Sequence, residues 1–154
     1  MKRREFCAHA CQGISLVAVG SMLQGCGGSG SPTSPSGGSS GSTLPTVAGS
    51  VSNRTVSVVV DAGSQLASVG GTALVQSTLG NFLVARISQE AFSALTAVCT
   101  HEGCTITNVS GTTFICPCHG SQFSTSGSVV KSPATRPLTS YATAFAGNTL
   151  TITT

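Results

Sequence analysis

The 154-residue chain lacks tryptophan, carries a single tyrosine, and has charged side chains at only 7% of its positions. Nucleic-acid surfaces rest on clustered Lys and Arg, and such clusters are missing here. The formal charge of +3 misleads, because Lys2, Arg3 and Arg4 supply three of the seven cations at the extreme N-terminus. From Val47 onward Arg54, Arg86, Lys131 and Arg136 stand against Asp61, Glu90 and Glu102, a net charge of +1. No nucleic-acid partner is expected. Long apolar runs are missing too. The stretch from Ile14 to Leu23 falls short of the ~20 residues that a membrane-spanning helix needs. No internal repeat is visible. What the chain has in quantity is glycine, at 19 residues, together with Ser and Thr. That composition favours turns and strands over helices, and the length allows one domain.

Residues 1–26 read as an export signal, with basic Lys2-Arg3-Arg4 leading into the short apolar stretch and then small residues. Arg3-Arg4-Glu5-Phe6 resembles a twin-arginine signal. A general secretory signal with an incidental Arg pair is the plainer alternative. Leu23-Gln24-Gly25-Cys26 resembles a bacterial lipobox, which would leave Cys26 as a lipid-modified N-terminus. The alternative there is plain cleavage and a free Cys26. Cys7, His9 and Cys11 lie inside the signal and are read as incidental. Residues 27–46 are Gly, Ser, Pro and Thr, with Leu44 the apolar exception. Such a tract cannot bury enough surface to offset its ordering entropy, so a flexible tether is expected. Its r.m.s. span as a coil would be roughly 25 Å. Residues 47–154 are expected to form the domain.

Within that domain short β-branched segments recur, broken by Gly or Asn. Val51 to Val60 reads as one strand ending at a turn over Asp61-Ala62-Gly63. Leu66 to Val75 reads as two short strands around Gly70-Gly71, and Phe82 to Ile87 as the next. Ser88 to Ala91 reads as a turn, and Phe92 to Val98 as the strand leading to the motif below. Thr105–Thr107, Thr112–Ile115, Val129–Lys131 and Thr149–Thr153 complete the set. Closely spaced short strands argue for a β-sandwich or a small barrel.

Between Cys99 and Ser121 lie two ligand-like loops, Cys99-Thr-His101-Glu-Gly-Cys104 and Cys116-Pro-Cys118-His119-Gly-Ser121. Paired Cys and His suit zinc or iron–sulfur. A zinc finger groups its cysteines in one half-site and its histidines in the other. Here each half-site mixes the two, so two cysteines could hold one iron and two histidines a second, as in a Rieske [2Fe–2S] centre. The alternative is zinc on the four cysteines of the two loops, which leaves the histidines without a role.

The two motifs resemble those of Rieske proteins of the cytochrome bc type, and the likeness extends over roughly Asn81 to Thr154. It implies an all-β fold, an antiparallel β-sandwich with the cluster loops at one tip, and one [2Fe–2S] cluster. It places the iron ligands at Cys99, His101, Cys116 and His119, and a disulfide between Cys104 and Cys118. Gly103 and Gly120 are expected where a Cβ would intrude on the cluster. Ser121 matches a serine whose hydroxyl bonds a cluster sulfur, stabilising the reduced state; an ordinary turn serine is the alternative. Lys131-Ser132-Pro133-Ala134 and Arg136-Pro137-Leu138 match a third loop that covers the cluster, stiffened by Pro133 and Pro137.

Two positions depart from the high-potential pattern. Phe123 stands where many such relatives carry Tyr, and Glu102 where quinol-oxidising relatives usually place Leu. Both point to a lower potential, although Phe123 could simply fill the core and Glu102 face solvent. The signal-like and lipobox-like N-terminus together with this resemblance imply an exported, membrane-tethered carrier of single electrons, serving a redox partner such as a cytochrome or an oxidoreductase subunit on the periplasmic side. The alternatives are the iron–sulfur subunit of a quinol–cytochrome c or plastocyanin reductase, or of an arsenite-oxidase-like enzyme. No independent substrate site is evident.

Overall fold

The computed structural model of the chain describes residues 41–154, whose regular structure is entirely β. The export signal, Cys26 and the tether up to residue 40 lie outside the described residues. The strands are β1 (Ser42–Thr43), β2 (Thr46–Ala48), β3 (Ser50–Ser52), β4 (Thr55–Val59), β5 (Thr72–Ser77) and β6 (Gly80–Arg86). There follow β7 (Phe92–Thr96), β8 (Asn108–Ser110), β9 (Thr113–Ile115) and β10 (Gln122–Ser124). Last come β11 (Val129–Lys131), β12 (Ser140–Ala146) and β13 (Thr149–Thr153).

They form two sheets. The larger runs β2-β5-β6-β7-β12-β13-β4-β3, and the smaller β1-β8-β9-β10-β11. Pairing is antiparallel throughout, except for the parallel β2–β5 pair. The edges β2 and β3 of the larger sheet are joined through Gly49 alone. One continuous segment therefore pairs with β5 and then with β4, closing the sheet on itself. Closure removes the exposed edges that invite aggregation. Gly49 is required at this corner, because a Cβ there would collide with Val56 Cγ1 and crowd Val75 Cγ1 at 3.1 Å.

Strand β6 shows how the core is divided. Side chains alternate between faces along a strand, yet Phe82, Leu83, Val84 and Ala85 are all buried. Phe82 and Val84 join Val56, Leu66, Val75 and Ile152 inside the closed sheet. Leu83 and Ala85 face the smaller sheet and meet Leu95, Ile106, Phe114, Phe123, Cys99 and Cys116. Two-sided burial explains the uninterrupted apolar run in this segment.

Several elements differ from the sequence-based expectation. Val51 to Val60 is not one strand. It breaks at Asn53, whose φ of 54° makes a turn that Asn tolerates. Between Leu66 and Gly71 no strand forms; that segment is a loop bonded to Arg86. Thr105–Thr107 contributes only a bridge between Thr105 and Val98. Residues 41–46, assigned from composition to the tether, are folded: Ser42 pairs with Val109 and Thr43 with Asn108. Leu44 is 3% exposed, and its N–H donates to the Thr107 carbonyl at 2.7 Å.

Candidate metal centre

The connections from β7 to β8 and from β9 to β10 carry the two motifs, and their backbones fold alike. Cys99 N–H donates to Cys104 O at 2.8 Å, and Gly103 N–H returns to Cys99 O at 2.9 Å. In the second loop Cys116 N–H donates to Ser121 O at 2.8 Å, and Gly120 N–H to Cys116 O at 3.0 Å. Gly103 and Gly120 both take φ of 74°, a left-handed value that glycine adopts at little cost. A Cβ at Gly103 would meet no atom within 4 Å. Among the protein's own atoms it is the backbone conformation, not crowding, that calls for glycine there. The equivalence of the loops aligns Cys99 with Cys116, Glu102 with His119, and Cys104 with Ser121.

The disulfide expected between Cys104 and Cys118 is present, with Cα atoms 6.5 Å apart, and it ties one loop to the other. Those two sulfurs are therefore not available as thiolates, and a zinc site on four cysteines is ruled out in this state. Cys99 and Cys116 are free, 2% and 1% exposed, and face one another within hydrogen-bonding reach. Burial pushes the Cys116 thiol above its ordinary value of 9.0, and the neighbouring Cys99 adds to the rise. The backbone N–H groups of Cys118 and His119 oppose it. A metal cation would compensate the desolvation and hold the thiolate, releasing a proton on binding.

At the outer end, the rings of His101 and His119 lie edge to face with centroids 5.0 Å apart. Both are exposed. Glu102 joins them, its carboxylate 3.7 Å from His119 Nδ1. Nothing in the spacing of the motif signals that contact. Among the described residues the neighbouring donors fall in two groups of three, Cys104–Cys116–Cys118, of which two form the disulfide, and the exposed His101–Glu102–His119, and none mixes sulfur with imidazole. One tetrahedral ion cannot draw on both ends. A two-iron core held by thiolates at one end and imidazoles at the other would fit this division of donors.

Ser121 is fully buried, and its Oγ accepts a hydrogen bond from Ala134 N–H at 3.0 Å. The hydroxyl proton is left free to point at a further acceptor. This bond fastens the third loop, containing Pro133, over the second. Pro133 is itself exposed. Thr100 Oγ1 donates to Arg136 O at 2.7 Å and fastens the other flank of the third loop to the first motif. Phe123 is fully buried among the core residues that include Cys99 and Cys116. Tyr141, the chain's one tyrosine, packs instead against Phe82 in the other half of the core. No tyrosine hydroxyl serves the centre. A groove of about 690 Å³ runs beside the first motif, between it and Arg136-Pro137.

Fold and site together define an all-β domain with a mixed thiol–imidazole centre suited to an iron–sulfur cluster. The comparisons with known proteins agree. The Rieske [2Fe-2S] domain family matches residues 56–142, more than half of the chain. The cytochrome b6-f complex iron-sulfur subunits of Synechococcus elongatus and Thermosynechococcus vestitus are each 46% identical over 69 residues. Those matches cover 42% of this chain and 38% of each relative, so well under half of the curated relatives' length is represented. Among solved structures, the cyanobacterial plasma membrane Rieske protein PetC3 from Synechocystis PCC 6803 is 33% identical, with a TM-score of 0.53. It is covered over 99% of its length by 63% of this chain. A naphthalene 1,2-dioxygenase structure shares the fold alone, at 17% identity and a TM-score of 0.52, covering 63% of this chain and 25% of that one. The chain belongs to the Rieske [2Fe-2S] domain family, and its cofactor is a [2Fe–2S] cluster.

Proposed function

We propose that the chain is an exported one-electron carrier, with Cys99 and Cys116 holding the inner iron and His101 and His119 the outer one. The observation that carries this reading is the division of donors, with two buried thiols inside and two exposed imidazoles outside. When bound, the cluster supplies a one-electron couple whose potential is raised by imidazole ligation. The chain's own residues do the rest. The Cys104–Cys118 bridge holds the loops together. Ser121 is positioned to offer its hydroxyl proton to a cluster sulfur, while Gly120 gives the turn that brings His119 back toward His101. Pro133 and Ala134 lie in the cover that keeps water from the inner end. The exposed imidazoles form the face at which a redox partner protein docks.

The twin-arginine-like Arg3-Arg4 and the lipobox-like Cys26 support export and a lipid tether. An export route for folded proteins suits a domain loaded with its cluster before it crosses a membrane. The likeness to cytochrome b6-f complex iron-sulfur subunits favours a second reading, as the iron–sulfur subunit of a quinol-oxidising complex. Glu102 and Phe123 weigh against it, since the first puts a carboxylate at the tip and the second supplies no hydroxyl to a ligand sulfur.

Electron paramagnetic resonance on the cluster-loaded full chain separates the readings. A Rieske-type signal that appears with dithionite and not with ascorbate is expected. A signal already present with ascorbate would return the quinol-oxidising reading to first place. Zinc with no signal in either sample would end the redox reading.

A further inference from the structure

A free thiol and a disulfide share one small space at the inner end of the centre. The Sγ atoms of Cys104, Cys116 and Cys118 all lie within 4.8 Å of one another, and Cys104 and Cys118 are bonded. Cys116 is free and 1% exposed, so its sulfur meets only Cys99 and that disulfide. Cys104 is half-buried and Cys118 is exposed. Thiol–disulfide exchange needs an attacking sulfur, a disulfide within its reach and a leaving sulfur free to depart. Cys116, Cys104 and Cys118 fill those three places.

We propose that Cys116, whenever it is not held as an iron ligand, exchanges with the neighbouring disulfide and so closes the site to its cluster. Cys116 Sγ bonds to Cys104 Sγ, the Cys104–Cys118 bond breaks, and the proton lost by Cys116 ends on the Cys118 sulfur. One disulfide replaces another, so no oxidant or reductant is consumed. Cys104 is the sulfur attacked, because a bond to Cys118 would close a ring across Pro117 alone, whose φ is fixed. The bridged loop shortens only from Cys104–Cys118 to Cys104–Cys116, so its closure entropy scarcely changes. The free sulfur meanwhile moves from the core into water. Burial disfavours the attacking thiolate, which places the exchange in the minutes-to-hours range of uncatalysed rearrangements. The inference rests on the ligand assignment above and adds an order of assembly, with the cluster placed before the disulfide is made. A chain that forms the disulfide first loses one ligand sulfur and exposes a reactive thiol at Cys118.

The test uses the full chain in two forms, cluster-loaded and freed of its cluster by acid and chelator, each then held without oxygen or added thiol at about pH 8. Native samples are alkylated with N-ethylmaleimide at intervals, and mass spectrometry of proteolytic peptides locates every label and every disulfide. After several hours the cluster-free chain should carry label at Cys118 at least about tenfold more often than the loaded chain, with Cys104 now bridged to Cys116. Cys116→Ser, equally cluster-free, should keep the Cys104–Cys118 bridge and leave Cys118 unlabelled. Cys99→Ser, which also lacks a ligand, should exchange like the parent and so separates the attack by Cys116 from mere loss of the cluster. Iron and sulfide should fail to restore a Rieske signal to the exchanged chain until excess dithiol has reduced it. A Cys104–Cys118 bridge that persists in the cluster-free parent for about a day would overturn the proposal. So would label at Cys118 in Cys116→Ser, which would hand the attack to another thiol. Absence of a Rieske signal in the loaded sample would instead sink the electron-carrier reading, and the exchange in the cluster-free chain would still be scored.

Discussion

Ala134 N–H donates to Ser121 Oγ at 3.0 Å in a site closed to solvent. The bond fixes the hydroxyl oxygen as an acceptor and so leaves its proton to donate elsewhere. A sulfur of the proposed cluster would be an acceptor that gains negative charge on reduction, and a donor to it would favour the reduced form. Ser121→Ala should therefore lower the midpoint potential in a protein-film or spectroelectrochemical titration, with the cluster retained. It should also cost about 1–3 kcal/mol of stability, because the Ala134 N–H loses its partner. An unchanged potential would reduce Ser121 to a fastener of the third loop.

Phe123 offers the opposite experiment. It is fully buried beside Cys99 and Cys116, and the only tyrosine of the chain lies in the other half of the core. Phe123→Tyr places a hydroxyl within the sulfur-lined end of this core. Donation to a ligand thiolate withdraws charge from it, so the potential should rise. A potential equal to or below that of the parent would show that the ring at position 123 does not address a ligand sulfur.

Burial raises the Cys116 thiol above 9.0, and this gives the cluster-free chain a pH signature. A folded-state value above the unfolded one means that the folded chain holds this proton more tightly. The associated stability is fully present below the unfolded value and is lost as pH rises through the folded one. Urea midpoints of the cluster-free chain, with its disulfide intact, should fall on the alkaline side of 9.0. Cys116→Ala should flatten that limb. Equal alkaline losses in the two chains would assign the titration to another group.

The motif loops were the most legible part of the sequence, because ligand residue types, their spacing and one glycine in each motif occur together in the 23 positions from Cys99 to Ser121. The all-β class was legible from the β-branched segments, and its antiparallel pairing came from the family resemblance. The closure of the larger sheet was not, since a corner at Gly49 that exchanges β5 for β4 depends on partners distant in sequence. Strand β12 was missed because Ser140-Tyr-Ala-Thr-Ala-Phe-Ala146 carries three alanines, and Ala is a poor strand former. Its identity is set by pairing with β13 and β7. The tether's end was misplaced because Ser and Thr at 42–43 resemble linker residues, and they become a strand only against β8. Leu44 was the available signal. A lone Leu in a polar tract asks for a place to be buried.

Leu44 makes the end of the tether part of the centre's support. It is 3% exposed and packs in the same core as Cys99 and Cys116. On one side the preceding strand β1 pairs with β8, and on the other the Pro45 carbonyl accepts from Leu74 N–H at 2.8 Å. Leu44→Ala should cost about 2–4 kcal/mol and hasten loss of the cluster's absorption at elevated temperature. A chain that begins at Val47 should lose the cluster faster still, whereas one that begins at Gly41 should match the full chain. Equal retention by both truncations would show that this strap is dispensable.

Arg86 is a structural anchor of the domain, a cation 9% exposed with no carboxylate partner among the described residues. Its guanidinium donates to the carbonyls of Leu66, Ala67, Ser88 and Gln89. The same group lies 5.2 Å from the Phe92 ring centroid and 5.3 Å from that of Phe145. Carbonyl dipoles and ring faces thus replace the missing anion, and one side chain pins both the Leu66–Gly71 loop and the Ser88–Ala91 turn to β6. A planar fork of donors suits that task, and an ammonium on a flexible stem does not. Arg86→Met keeps the apolar stem but leaves four carbonyls without this donor, and should destabilise by about 3 kcal/mol. Arg86→Lys should fall between the parent and the Met variant. Neither should shift the midpoint potential, because Phe92 and Phe145 belong to the core half that contains neither Cys99 nor Cys116. Urea unfolding monitored beside potentiometry checks both statements, and a Met variant as stable as the parent would show that water replaces the arginine without cost.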